Sequence, residues 1–486
     1  MALFMSDIFL NSWVQASRRR QYAAVKSASQ ASDVDERKEK SSSVIPDYFF
    51  NQAECGLRNI YCNFAAVMRY ETYTLRCGLR VILQPVASPV VFCGYAINAG
   101  SRNEEPGDEG LAHFCEHATF KGTSRRRSVQ VLNTLERVGG DLNAFTNKED
   151  TVYYAAFLAE HLPRAVDLLT DIVLHSTYPQ AELDKEKTVI CEEIESYNDS
   201  PAELIYDEFE NVLFQGHPLG HHILGSTERV KQFTTADALR FTHRYYLPEN
   251  MVFFASGDID FSRLVRLLER ATADMPAATP VPVLNPNPTF SNDGGSSLPL
   301  APCPSQFIRQ DHNTHQAHVM SGTVAYPVNH PLRIPLYLLN NIMGGPAMNS
   351  RFNLSLRERR GLVYGVESNM VCFADTGAWS VYFGCDPHDV KSCLRAVRRE
   401  QDRMRSTLLT PTQLTAAKRQ LKGQLGVASV SRESFTLSIG KSFLHYGDER
   451  DLSVLFKRID AVSAEQVKAV AEEIFDPSRE VLLCYG

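Results

Sequence analysis

No stretch of the 486-residue chain approaches the ~20 uninterrupted apolar residues that a membrane-spanning helix requires. A basic excess is missing too. The 57 acidic residues outnumber the 50 Lys and Arg, leaving a formal net charge of −7. Without a field to gather a polyanion, nucleic acid is excluded as the main partner. The 11 cysteines are odd in number, dispersed and free of any CxxC pair. In a chain this long they read as reduced thiols, not a disulfide framework, which sets the expectation of a cytoplasmic protein. An export signal is also lacking. Residues 1–14 are fairly apolar, but Asp7 interrupts them and Arg18-Arg19-Arg20 follow, whereas a secretory signal places its charge first. An Arg-bearing, Ser-containing start keeps an organelle or periplasmic location as the alternative, against which the mixed acidic run at 33–40 argues. What is present is the composition of a globular protein, 44% hydrophobic and 22% charged, with length for two or three domains.

Regular patterning begins after Met68, a candidate translation start, so residues 1–67 read as an N-terminal extension, disordered or mis-assigned. Segments 73–75 and 79–83 bracket Cys77-Gly78 as a hairpin, and 90–98 is a third strand. Helical periodicity covers 109–120 and 128–138, strands follow at 142–146 and 151–158, and long helices at 161–175, 180–198, 201–214 and 235–246. A strand at 251–255 and a helix at 261–273 close the unit. Residues 276–306, dense in Pro and then in Asn, Gly and Ser, read as a linker.

Beyond the linker the pattern repeats. "YPQAELDKEKTVICEEI" from Tyr178 overlays "LTPTQLTAAKRQLKGQL" from Leu409, and the segment from Thr234 matches that from Val462. The expectation is an α+β protein of two homologous domains, 68–275 and 307–486, each a mainly antiparallel sheet with packed helices. In this register Glu193 falls opposite Gln424 and Glu186 opposite Ala417, and the second copy has no His-x-x-x-His. One copy carries a metal site that the other lacks.

That site is His113-Phe114-Cys115-Glu116-His117, inside a helical segment. At ~100° per residue, positions i and i+4 lie ~40° apart around the axis, so both imidazoles can close on one ion while Glu116 projects beside them. Neutral nitrogen ligands, an open position for water and a carboxylate to take its proton are what hydrolytic zinc needs, in the inverted order H-x-x-E-H. A third ligand should be a carboxylate on another element, and Glu192 and Glu193 lie in the acidic helix at 180–198.

"GLAHFCEHATFKGT" and "VICEEIESYNDSP" resemble the zinc helix and the third-ligand segment of the pitrilysin-type (M16) metallopeptidases, a likeness covering about 68–486. The resemblance implies one Zn2+ held by His113, His117 and Glu193, with Glu116 as general base and Glu186 supporting the site. It implies that "GGDLNAFTNKEDTVYYA" pairs with extended peptide, Asn143, Ala144 and Phe145 lining the cleft. It also implies that Arg357 and Tyr364, in "LRERRGLVYG", hold the substrate backbone and stabilise the oxyanion. Cys115 reads as a buried structural thiol, His217, His221 and His222 as loop structure, and Arg125–Arg127 as a solvated turn open to acidic substrate. The functional expectation is a zinc endopeptidase for unfolded or short peptides, working as a homodimer or with a related subunit. The competing reading is a non-catalytic partner or scaffold subunit.

Overall fold

A computed structural model describes residues 69–278, 305–312, 314–447 and 452–486. The extension expected at 1–67 and nearly all of the expected linker lie outside these described residues. The first sheet comprises β1 (Glu71–Thr74), β2 (Arg80–Pro85), β3 (Val90–Ile97), β4 (Asp141–Thr146), β5 (Thr151–Leu158) and β6 (Met251–Gly257), in the order β1-β2-β6-β3-β5-β4. The second comprises β7 (Gln306–Gln310), β8 (Ala317–Ala325), β9 (Val363–Cys372), β10 (Gly377–Cys385) and β11 (Val481–Tyr485), in the order β7-β11-β8-β10-β9.

Without β1, the two orders coincide strand for strand. In each sheet one parallel pair (β2 with β6, β7 with β11) is followed by three antiparallel pairings. The chain is therefore two homologous α+β domains. Among the described residues, the outermost strand on the far side of each sheet, β4 or β9, has a neighbour on one side only.

The inner strands are nearly all apolar because both faces of each sheet are covered. In β5, Tyr153 faces the packed helices of its own domain while Tyr154 faces the opposite cluster, as a period of two dictates. The helices that matter for the site are α1 (Leu111–Thr119), α2 (Gln180–Asn198), α3 (Pro201–Leu213), α4 (Pro411–Ala428) and α5 (Arg432–Tyr446).

The second face of each sheet is covered by the other domain's helix. From α5, Phe435, Leu437, Ile439 and Leu444 pack onto Ile82, Ala96, Val152 and Phe254 of the first sheet. In return, Leu204, Ile205, Phe209 and Leu213 of α3 pack onto Met320, Ala378, Leu483 and Tyr485 of the second. In the repeat α3 and α5 follow the matched helices α2 and α4, so the exchange is reciprocal. Gly440 brings α5 so close that a Cβ there would lie 2.4 Å from the Phe254 ring. Arg80 donates to the carbonyls of Phe443 and Leu444 at 3.0 and 3.1 Å, and Arg432 to that of Val90 at 2.9 Å.

One buried ion cluster closes this seam. Asp150, at the β4–β5 turn, takes Lys441 and His445 of α5 at 3.2 Å each, and Asn147 donates to it at 2.7 Å. Among the described residues no helix is long and apolar enough to cross a membrane, and the eight described cysteines are all buried.

The Asp150 cluster makes the seam acid-sensitive. Burial alone would raise the Asp150 pKa, but Lys441, His445 and Asn147 outweigh it and bring the group from 3.8 down to about 2. A depressed folded-state pKa stabilises the native state above the ordinary carboxylate range. That stabilisation, about 2–3 kcal/mol, is lost as pH falls from ~4 toward ~2. Asp150→Asn is expected to melt earlier than wild type at pH 7, and the gap should narrow steadily below pH 4. Parallel melting curves down to pH 3 would show that Asp150 carries no such linkage.

Candidate active site and metal centre

Helix α1 is built to hold its ligands still. It starts after Gly110, whose φ of +96° and close approach to the Leu224 carbonyl, 2.7 Å from a notional Cβ, admit only glycine. The first turn is capped by Glu104, whose carboxylate accepts from the backbone N–H of Gly110 (3.0 Å) and Ala112 (2.7 Å) and takes His221 at 2.9 Å. A carboxylate at a helix N-terminus satisfies orphan donors and complements the dipole. Every residue of α1 except His117 is buried.

His113 and His117 stand one turn apart, with ring centroids 4.6 Å from each other. Helix α2 crosses so that Glu193 Oε2 lies 3.3 Å from His117 Nε2 and 3.9 Å from His113 Nε2. The ligand atoms of the three residues all lie within 4.8 Å of one another. Donors ~2.0–2.1 Å from a tetrahedral zinc sit ~3.3–3.5 Å apart, so this set fits that ion with little adjustment. Seven residues before Glu193, two helical turns on the same face, Glu186 Oε1 sits 2.9 Å from His117 Nδ1. A carboxylate behind a ligating imidazole fixes its orientation.

The electrostatics are those of a place prepared for a cation. Burial, helped by His117, pulls the His113 pKa down to about 3, so this ring stays neutral and offers a lone pair. Burial also opposes charge on His117, but Glu186, Glu193 and Glu116 overcome it and push that group up to about 10. Glu116 is pushed up to about 7, chiefly by burial, and Thr146 Oγ1 donates to its Oε2 at 2.6 Å. A carboxylate titrating near neutrality is suited to accept and return a proton.

His113, Glu116 and Glu193 open into a cleft of about 260 Å3 between the domains. Phe145, Thr146 and Asp150 line it from the first domain, and Phe373, Lys441, His445 and Tyr446 from the second. Of the residues expected to line the cleft from β4, Phe145 does so. It lies on the face toward α5, its ring 5.5 Å from the Lys441 ammonium, whereas Ala144 packs on the α1 side and Asn143 is exposed. Arg357 and Tyr364 lie together, the guanidinium 5.9 Å from the ring centre, but neither lines this cleft, and Tyr364 is 89% exposed.

Sequence reasoning missed Thr146, Glu104 and the α5 residues. For Thr146 a signal existed: 142, 144 and 146 share a face of β4, and Leu142 and Ala144 pack on the α1 side. The loop histidines each meet a carboxylate, His217 with Asp375 (3.5 Å), His221 with Glu104 and His222 with Glu208 (2.9 Å). Cys115 is buried with its thiol toward the Ala238 carbonyl. Arg125 and Arg126 are engaged by Asp167 and Asp171 of this chain, so the turn is less open than its composition implied.

Residues 80–227 match the model of the family described as insulinase (peptidase family M16), and residues 232–421 that of the peptidase M16 inactive domain. The uncharacterised zinc protease YmxG of Bacillus subtilis (strain 168) is 32% identical over 407 residues, 83% of this chain and 95% of that protein. The chain belongs to peptidase family M16. Another M16-type relative, the mitochondrial-processing peptidase subunit beta of Bos taurus, is 30% identical over 83% of this chain and 82% of its own length. A protease from Helicobacter pylori shares the fold, with a TM-score of 0.78 at 19% identity, over 86% of this chain and 99% of that one. The inactive-domain match agrees with the second copy, where Gln424 and Ala417 of α4 stand in place of Glu193 and Glu186.

The two neighbouring glutamates of α2 should separate cleanly. Glu193→Gln is expected to weaken zinc retention at least ~10-fold, while Glu192→Gln, an exposed neighbour, leaves it unchanged. Competition with a chromophoric chelator reads this directly, and an equal loss in both variants would mean that α2 supplies only general negative charge.

Proposed function

We propose that this chain is a zinc-dependent endopeptidase acting on unfolded or short peptides, with one zinc held by His113, His117 and Glu193 and Glu116 as general base. The observation that carries the reading is the convergence of those three ligand atoms within 4.8 Å beside a buried carboxylate that opens on the same cleft. Zinc, when bound, supplies a Lewis acid for the scissile carbonyl and lowers the pKa of its water. Glu116 takes the proton from that water and returns it to the leaving amine, and Thr146 holds one of its oxygens meanwhile. The outer strand β4, with a free side next to the site, offers backbone groups to an extended peptide, which favours unstructured substrates with little side-chain selectivity. On this reading Asn143, Ala144 and Phe145 set the register of the bound peptide.

Glu116→Gln is expected to keep its zinc and lose at least ~10^2-fold in cleavage of a quenched unstructured peptide. A variant that binds zinc and cleaves as wild type would remove Glu116 from the mechanism. If zinc binds to wild type and no peptide is cut, the scaffold-subunit reading gains.

Arg357 and Tyr364 complete the proposal in a different way. Their exposure, away from the cleft of their own chain, supports a role toward the site of a second copy, where they would steady the substrate backbone and the oxyanion. On that arrangement, co-expressed Glu116→Gln and Arg357→Ala chains, each inactive alone, recover up to about a quarter of wild-type activity through randomly paired dimers. A mixed preparation that stays inactive argues against sharing of the site between copies.

A further inference from the structure

We propose that Lys121 is a positioning residue of the metal centre: it holds Glu186 so that Glu186 can hold His117. The inference rests on the zinc reading above and extends it to a residue outside the five-residue H-x-x-E-H pattern. Glu186 divides its two oxygens. Oε1 is 2.9 Å from His117 Nδ1, and Oε2 is 2.5 Å from Lys121 Nζ. A carboxylate tied at one oxygen still swings about its terminal torsion, whereas one tied at both has a fixed plane. The imidazole behind which it stands then inherits that plane.

Lys121 is itself well anchored. It lies two residues past the end of α1, its backbone N–H donates to the Ala118 carbonyl at 3.0 Å, and it stands four residues after His117. Its ammonium is partly buried, with a side-chain exposure of 22%, so solvent screens the pair only in part. A cation at the C-terminal end of a helix is also favoured by the dipole.

Charge gives a second, independent reason. Glu116, Glu186 and Glu193 crowd around two imidazoles, and among the described residues the side chains within salt-bridge reach of Glu186 are His117 and the lysine Lys121. A divalent ion and the Lys121 ammonium together balance the three carboxylates. Without the ammonium, the loaded centre keeps one uncompensated negative charge in a partly buried place, and Glu186 loses its reason to stay where it is.

The test is zinc affinity of the full-length protein by competition with a chromophoric chelator, a readout separate from turnover. Lys121→Met is expected to hold zinc ~10-fold more weakly, with Lys121→Arg keeping most of the wild-type affinity. Lys185→Met, which removes an exposed lysine paired with Glu182 on α2, should change nothing. In a Glu186→Gln background the Lys121→Met change should cost no further affinity, because the lysine acts through that carboxylate. Unfolding of the metal-free variants, followed in parallel, separates loss of the ligand geometry from loss of the fold. Wild-type affinity in Lys121→Met, or an undiminished loss in the Glu186→Gln background, overturns the inference while leaving the metal centre standing. Absence of zinc binding in wild type itself would bring down both.

Discussion

Around His117 the fold brings together more negative charge than the protein alone can neutralise, and much of the architecture near the cleft follows from that. A buried carboxylate without a partner is expensive, by several kcal/mol. Here each is given something to hold: Glu116 takes the Thr146 hydroxyl, Glu186 takes His117 and Lys121, and Glu193 faces both imidazoles. The shifts at the three titrating groups are one response. Burial pushes the Glu116 pKa up, the surrounding carboxylates push that of His117 up, and burial pulls that of His113 down. A divalent ion held by His113, His117 and Glu193 would answer all three shifts at once.

Such a centre works only if α1 does not move, and α1 is a short helix of nine residues. Its intrinsic stability is negligible at that length. It is fixed by tertiary contacts instead: Glu104 at its first turn, the sheet beneath it and α2 across it. The sheet in turn is held flat against α5 from the metal-free domain. Asp150, four residues beyond Thr146, is where α5 grips the β4–β5 turn. The domain described in the family as inactive is therefore part of what positions Glu116, through Thr146 and the turn that follows it.

What the sequence disclosed, and what it hid, divides along the same line between local and non-local. Helix α1 was readable because its ligands are four residues apart on one period, and the repeat was readable because strand and helix lengths recur. Glu193 was harder. Helix α2 carries Glu182, Glu186, Glu192, Glu193 and Glu195, and its periodicity alone says which share a face but not which face meets the histidines. The family resemblance pointed to Glu193, and the crossing of α2 over α1 leaves Glu193 Oε2 3.3 Å from His117 Nε2. The destination of α5 was not readable at all. Its apolar residues announce a buried face, yet nothing in 432–446 says that the face belongs against the sheet of the other domain. Phe145 shows the limit in miniature: alternation puts it opposite Ala144 and Thr146, so three consecutive residues could not all look into one side of the cleft.

The homologous outer strands β4 and β9 raise a final structural question. A free sheet edge is a liability unless something pairs with it or interrupts it. β4 is only six residues long and carries exposed Asp141 and Asn143, so it suits a short extended peptide better than another sheet. β9 is longer, ten residues, and Tyr364 lies exposed at its beginning. If the two edges are equivalent by descent, their surroundings have diverged in the direction the proposal requires. The edge beside the carboxylates is short and exposes Asp141 and Asn143, while β9 exposes Tyr364 near its start, with the guanidinium of Arg357, from the helical turn before the strand, 5.9 Å from the ring centre.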